Sequence, residues 1–172
     1  ADRGEAHFEA KGSEFLGHVA PAATVTAAES FVESIREQYP DATHNVPAYR
    51  VPADADSSPG GSSDTGTASP DAGSTPPETG TMLREYQSDD GEPSGSAGKP
   101  ALNVLVQRDV RNVAAVVTRY YGGTNLGVGG LARAYARAVN DAVDDAGVTQ
   151  AVPHERFDVT VAYNDSGTVR GL

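Results

Sequence analysis

The stretch from Val113 to Tyr121 constrains this chain more than any other. It is apolar on both faces until Thr118, so it reads as the central strand of a sheet. Two glycine-rich blocks abut it. Before it lies Ser88-Asp-Asp-Gly-Glu-Pro-Ser-Gly-Ser-Ala-Gly-Lys-Pro100. Its own end runs into Arg119-Tyr-Tyr-Gly-Gly-Thr-Asn-Leu-Gly-Val-Gly-Gly-Leu-Ala-Arg-Ala-Tyr135. Glycines this dense between regular elements mean that the backbone approaches something closely, either a ligand or another piece of backbone.

The remaining elements follow from periodicity and punctuation. Residues 5–21 read as a hairpin, with His7–Ala10 and Glu14–Val19 flanking a Lys11-Gly12-Ser13 turn. A helix is expected over 27–39, started by a Thr26-Ala-Ala-Glu29 capping box and stopped by Pro40. Phe31, Val32, Ile35 and Tyr39 give its buried stripe. His44 to Val51 reads as a strand that Pro47 pushes toward a sheet edge or a bulge. Residues 53–80 carry no large apolar side chain and read as a disordered insertion, because such a segment cannot offset its ordering entropy. Met82 to Gln87 resumes as a strand. Pro100 suits the first turn of a helix whose apolar face is Leu102, Leu105 and Val106. The longest helix is expected over 126–146, with Leu131, Tyr135, Ala138, Val139, Ala142 and Val143 as its core stripe and Gly147 just past its end. Phe157 to Tyr163 alternates like a half-buried strand.

Composition excludes several classes. With no cysteine, the chain has no disulfide framework, thiolate chemistry or zinc–cysteine site. No apolar run reaches the length of a membrane span, and no signal peptide is visible, so a cytoplasmic location is the expectation. The absence of an initiator Met reads as trimming or as a fragment. The net charge of −11, with only Lys11 and Lys99 as lysines, points to an acidic protein solvated in concentrated salt, of halophilic type. The same charge argues against non-specific binding of DNA or other nucleic acid, which needs a positive field. Any nucleic-acid contact must then be local and shape-based.

Asp89, Asp90 and Glu92 place three carboxylates in one tight turn. Such a cluster suits Mg²⁺ or Ca²⁺, or acid–base work in which the carboxylates raise one another's pKa. It is also the composition of a turn whose Asp side chains cap amides. Gly98-Lys99-Pro100 opens a helix, where free amides and a lysine make a natural anion site, although the spacing is not that of a Walker A loop. Arg119, Tyr120 and Tyr121 lead through Gly122 and Gly123 to Gly127, Gly129 and Gly130 at a second helix start. They suit a base or a phosphate, or simply close strand–helix packing. Arg133 lies one turn further on. His44 is the one histidine with a motif around it, and it completes a polar set with Asp89, Asp90, Glu92 and Arg119. No Gly-x-Ser-x-Gly elbow and no dinucleotide-binding pattern is present, and no catalytic residue is assigned. The expected site is a groove for an anion or RNA, shared by the two helix starts and lined by Asp89, Asp90, Glu92 and Arg119. No cofactor is expected, with Mg²⁺ the one candidate.

Ser88-Asp89-Asp90-Gly91-Glu92-Pro93 with Ala97-Gly98-Lys99-Pro100 resembles the first signature block of the YigZ/IMPACT family, proteins linked to translation control. Arg119-Tyr120-Tyr121-Gly122-Gly123 with Leu126-Gly127 through Tyr135 resembles the second, and Asp41-Ala42-Thr43-His44 is similar to a weaker upstream block. The likeness covers residues 9–147, with 53–80 as an insertion and Thr124-Asn125 as a departure from the apolar or basic residues usual there. The order of elements suggests an α+β two-layer sandwich, helices on one face of a mixed sheet. The resemblance implies that this is the ribosomal-protein domain-2-like fold. It implies an IMPACT-type domain at 5–148 and, at 153–172, the start of a ferredoxin-like second domain. It also implies a non-enzymatic translation or stress regulator that contacts ribosome, RNA or a translation-related protein. The alternative is a metal-dependent enzyme acting on a phosphorylated or nucleotide-like substrate.

Overall fold

The computed structural model describes residues 2–53 and 82–150. The insertion expected from residue 53 and the strand expected at Phe157–Tyr163 therefore lie, but for Ala53, outside the described residues. The elements run β1 (Gly4–Ala10), β2 (Ser13–Pro21), α1 (Val25–Gln38), β3 (His44–Pro52), β4 (Leu83–Gln87), α2 (Gly98–Gln107), β5 (Val113–Tyr120) and α3 (Gly127–Ala146). This is the expected order of strands and helices, and the class is α+β.

The strands form one sheet in the order β1-β2-β5-β3-β4, with β5 at its centre. Every pairing among the described residues is antiparallel, so the sheet they form is not mixed. Residues Val113 to Arg119 are all buried. A strand apolar on both faces needs cover on both. Val113, Ala115 and Val117 pack into a core with α2 and α3, whereas Ala114 and Val116 join Phe31, Val32 and Ile35 of α1. The helices therefore do not share one face: α1 lies opposite α2 and α3. Alternation along β5 is the physical reason, since each face of the strand supplies one core.

Local chemistry sets the connections. Lys11 (φ 49°) and Gly12 (φ 80°) form a two-residue turn, the I′ geometry that matches strand twist. Ser13, expected in that turn, instead pairs with Ala10 as the first residue of β2. Helix α1 begins two residues earlier than expected: Thr24, not Thr26, is the N-cap, and its Oγ1 accepts from the Ala27 amide at 3.1 Å. Pro47 sits within β3, which is paired on both sides, not on an edge strand. The proline is tolerated because its carbonyl faces the β4 side, where β4 has already ended and Ser88 N donates at 3.2 Å. No second donor is needed there. In α2, Leu105 is fully buried and Leu102 half-buried, but Val106 is exposed; Ala97, Gly98 and Ala101 complete the buried stripe. The α3 stripe is buried as expected, and Gly147 closes the helix at φ 71°. A Cβ at Gly17 would collide with the carbonyl of Ala138, so this glycine lets α3 seat directly on β2.

Candidate functional site

Three sequence blocks far apart in the chain meet at one end of the sheet. The register of β3 on β5 places His44 opposite Arg119. Thr43 N donates to Arg119 O, and Tyr121 N donates to Thr43 Oγ1, both at 2.9 Å. Tyr120 Oη donates to Asp41 Oδ1 at 3.0 Å. Residues 41–44 thus fasten the end of β5, and the acid turn is fastened in turn to His44 and Asn45.

That acid turn is a tight reversal. Asp90 (φ 48°) and Gly91 (φ 89°) are both left-handed, and Glu92 N bonds Asp89 O at 3.0 Å. Its three carboxylates point to three different partners. Asp89 Oδ2 accepts from Gly95 N at 2.8 Å, and Oδ1 accepts from Ala97 N at 3.1 Å and Gly98 N at 2.8 Å. Burial alone would raise the pKa of this carboxyl, but the amides of Gly95, Gly98 and Ala97 together outweigh it and hold it below its usual value. The amides expected to receive an outside anion at the start of α2 therefore hold the chain's own carboxylate. Asp90 Oδ2 accepts from Asn45 N at 2.8 Å, and Oδ1 lies 3.6 Å from the Arg36 guanidinium. The Asp90 carbonyl lies 2.6 Å from His44 Nδ1.

Glu92 turns inward. Its Oε1 accepts from Arg119 Nη1 and from Tyr135 Oη, and its Oε2 lies 3.8 Å from His44 Nε2. The Glu92 and Arg119 side chains are only 4% and 5% exposed. Arg119 Nη2 also donates to Ser13 Oγ at 3.3 Å, and Gly122 N donates to the same oxygen at 3.1 Å. The guanidinium lies over Phe15 and Tyr121, each ring centre 5.5 Å away. Burial, then the bond to Glu92, push the Tyr135 phenol far above its ordinary pKa.

On the opposite face of the sheet, Thr118 Oγ1 donates to buried Asn45 Oδ1 at 2.7 Å, and Asn45 Nδ2 donates to Tyr39 O at 3.2 Å. Sequence reasoning missed Ser13, Arg36, Asn45 and Thr118 as partners and read Tyr135 only as core. A buried hydroxyl or amide leaves no periodic signal in sequence. Only the register of β2, β3 and β5 brings these groups to the acid turn.

The structure brings together His44, Asp90, Glu92 and Arg119, but not as the lining of an open groove. Glu92 and Arg119 lie in the interior, and Asp89 points away to α2. Lys99 is exposed, with no bonded partner among the described residues. Among the described residues no group of three acidic, histidine or cysteine side chains is placed to hold a metal ion. The glycines serve different ends. A Cβ at Gly122 would collide with the Gly12 carbonyl, and one at Gly98 with the Ser88 carbonyl at 2.6 Å. Gly123 (φ 86°) and Gly127 (φ 74°) are left-handed with open space around them. Gly129 and Gly130 stand at the first turn of α3, whose N-cap, Leu126, makes no side-chain hydrogen bond. The Tyr121–Gly130 segment is among what this end of the molecule shows to solvent, with Tyr121 48% and Val128 59% exposed.

The Impact N-terminal domain model matches residues 11–143 of this sequence, more than half of the chain and including all three blocks. The chain belongs to the IMPACT family. It is 35% identical over 164 residues to the IMPACT family member YigZ of Escherichia coli, covering 95% of this chain and 68% of that protein. It is 34% identical over 149 residues to the IMPACT family member YvyE of Bacillus subtilis, covering 87% of this chain but only 56% of the relative. The chain thus spans little more than half the length of one of these curated relatives. A crystal structure of a protein described as hypothetical superposes with a TM-score of 0.65 at 37% identity, over 86% of this chain and 59% of its own. A structure of the two-domain translational regulator Yih1 shows a fainter likeness, with a TM-score of 0.45 at 22% identity, which bears on neither fold nor function here. No described helix is long and apolar enough to cross a membrane.

Proposed function

We propose that this IMPACT-family chain is the partner-binding domain of a translation- or stress-linked regulator, and that it engages ribosome, RNA or a translation-related protein through the surface built by its second glycine block. The observation that carries this reading is that the carboxylates of the acid turn are paired within the fold. Asp89 holds the start of α2, Asp90 holds β3 and Glu92 holds Arg119. A catalytic carboxylate must reach its substrate, whereas these are occupied by the fold. They act as a frame whose outward product is the Tyr121–Gly130 surface, with an exposed aromatic and an exposed valine. Exposed tyrosine beside permissive backbone suits recognition of a macromolecule. Family membership supplies the link to translation.

Sedimentation through a sucrose cushion with purified ribosomes at high salt tests the reading. The chain pellets with the particles, and Tyr121→Ala combined with Val128→Asp releases it while leaving the melting temperature in place. Failure of the intact chain to associate with ribosomes, RNA or translation factors would sink the proposal. So would saturable turnover of a nucleotide with Mg²⁺ that Asp90→Asn abolishes, which would make the chain an enzyme instead.

A further inference from the structure

A cleft of about 250 Å³ opens between β1 and the first turns of α3, lined chiefly by Phe8, Lys11, Leu126, Gly130, Arg133 and Arg137. Among the described residues no carboxylate lines it, in a chain with 24 acidic residues against 13 basic ones. Arg133 and Lys11 are exposed and form no ion pair among the described residues, whereas Arg137 pairs with Asp141 at 3.3 Å. The position of Arg133 is itself telling. Its Nη1 lies 3.3 Å from where a Cβ at Gly129 would stand, against the first turn of α3. A helix N-terminus carries partial positive charge and repels a guanidinium beside it. An anion between the two would satisfy both, and α3 has no side-chain cap of its own to do so.

The cleft also connects to the exposed tyrosine. Arg137 lies over Phe8 with 4.2 Å to the ring centre, Phe8 stacks on Phe15 at 5.3 Å, and Arg119 spans Phe15 and Tyr121. This row of cations and rings runs from the cleft to Tyr121 through the interior, since Phe15 and Arg119 are buried. The backbone takes a second, shorter route, since Gly122 packs on Gly12 beside Lys11. Resting on the function proposed above, we infer that this cleft binds the phosphates of a single-stranded RNA and that Tyr121 stacks on one of its bases. Guanidinium forks match phosphate oxygens, and a flat aromatic face beside a cationic groove is how single strands are held without sequence preference. An acidic peptide would satisfy the cations but would leave Tyr121 without a flat partner.

The test is a fluorescence-anisotropy titration with a short labelled oligouridylate over a range of salt concentrations. Lys11→Asn removes a charge and leaves an Asn-Gly pair, the preferred sequence for the I′ turn. Arg133→Gln retains helix propensity. Each variant weakens binding by about tenfold and flattens the dependence of log K on log salt by about 0.7. Tyr121→Ala weakens binding at least about fivefold with the salt slope unchanged. Arg111→Gln, at an exposed site away from the cleft, changes neither. The inference is overturned if the intact chain does not bind the RNA at low salt, if the two cation variants keep the full slope, or if polyglutamate displaces the RNA at equal charge. Ribosome sedimentation of the Lys11→Asn/Arg133→Gln variant separates the two readings. If it still pellets although RNA binding is absent, the cleft assignment falls and the function proposed above stands.

Discussion

Glu92 and Arg119 pair inside the protein, where Glu92 is the guanidinium's one carboxylate partner among the described residues and Ser13 and two aromatic rings also contact it. Two desolvated charges stabilise little over a matched apolar pair, but removing one strands the other. Arg119→Met is therefore expected to cost about 3–5 kcal/mol, because the Glu92 carboxylate loses its counter-charge. Adding Glu92→Leu should recover a substantial part of that loss. Denaturant midpoints for the two single variants and the double variant measure the coupling. Strictly additive costs would show that the pair does not act as a unit.

Tyr135 donates to the same Glu92 oxygen from the core face of α3. Tyr135→Phe keeps the ring's edge contact with Phe15 and removes only the hydroxyl. The expected cost is about 2 kcal/mol, the scale of a hydrogen bond to a charged group. Burial and the neighbouring carboxylate both disfavour the phenolate. Ultraviolet titration curves of the native protein and of Tyr135→Phe should therefore superimpose until alkaline unfolding begins. An extra tyrosine titrating in the folded native protein would contradict the assignment.

Gly122 and Gly129 belong to one glycine-rich block but answer to different constraints. A Cβ at Gly122 would meet the Gly12 backbone, which cannot move without breaking the β1–β2 turn, so Gly122→Ala should cost about 3 kcal/mol, the upper end for overpacked sites. A Cβ at Gly129 meets only the mobile end of Arg133. Gly129→Ala should therefore stabilise the protein by about 0.5–1 kcal/mol through helix propensity. Thermal melts of the two variants should move in opposite directions.

Asp89 links acid stability to the start of α2. Its folded pKa lies below the unfolded value of 3.8, so its stabilisation is complete above that value and is lost as pH falls through it to the lower folded pKa. Asp89→Asn replaces one accepting oxygen by a donor facing an amide, at a neutral-pH cost of about 1 kcal/mol, typical of a lost cap. The gap between the two proteins should narrow as pH drops below the ordinary carboxylate range. A gap that stayed constant down to pH 2, on the scale of reference carboxylate values near 4, would show that Asp89's charge is not what holds the helix.

The parts of this architecture that were legible in the sequence are those written in short range. The two-faced apolar run of β5 and the seven-residue rhythm of α3 reflect periodicities that need no partner to be seen. Even there, the apolar character of both β5 faces already required a second helical layer, which an ordering of elements alone does not reveal. The site was legible as residues but not as contacts. Arg119 meets Glu92 across 27 residues of chain and Ser13 across 106, and such pairings exist only once the strand order is fixed. Gly98 is legible as the start of a helix with free amides, but nothing local shows that Asp89 reaches forward over nine residues to occupy them.

The charge balance makes a last prediction. With a net charge of −11, the folded chain concentrates like charges that the unfolded chain can spread apart, and this repulsion lowers stability in dilute buffer. Raising ionic strength from 0.1 M to 1 M shortens the Debye length from about 10 Å to about 3 Å and suppresses it. Exposed pairs such as Arg108–Asp144 and Arg137–Asp141 weaken at the same time, but each contributes at most about 1 kcal/mol. The buried Glu92–Arg119 pair is screened much less. The melting temperature should therefore rise from dilute buffer to molar KCl. KCl is the informative salt, because sulfate would raise stability for any protein by its exclusion from the surface. A melting temperature that falls across the same series would show that the exposed ion pairs, not the acidic excess, dominate the surface electrostatics.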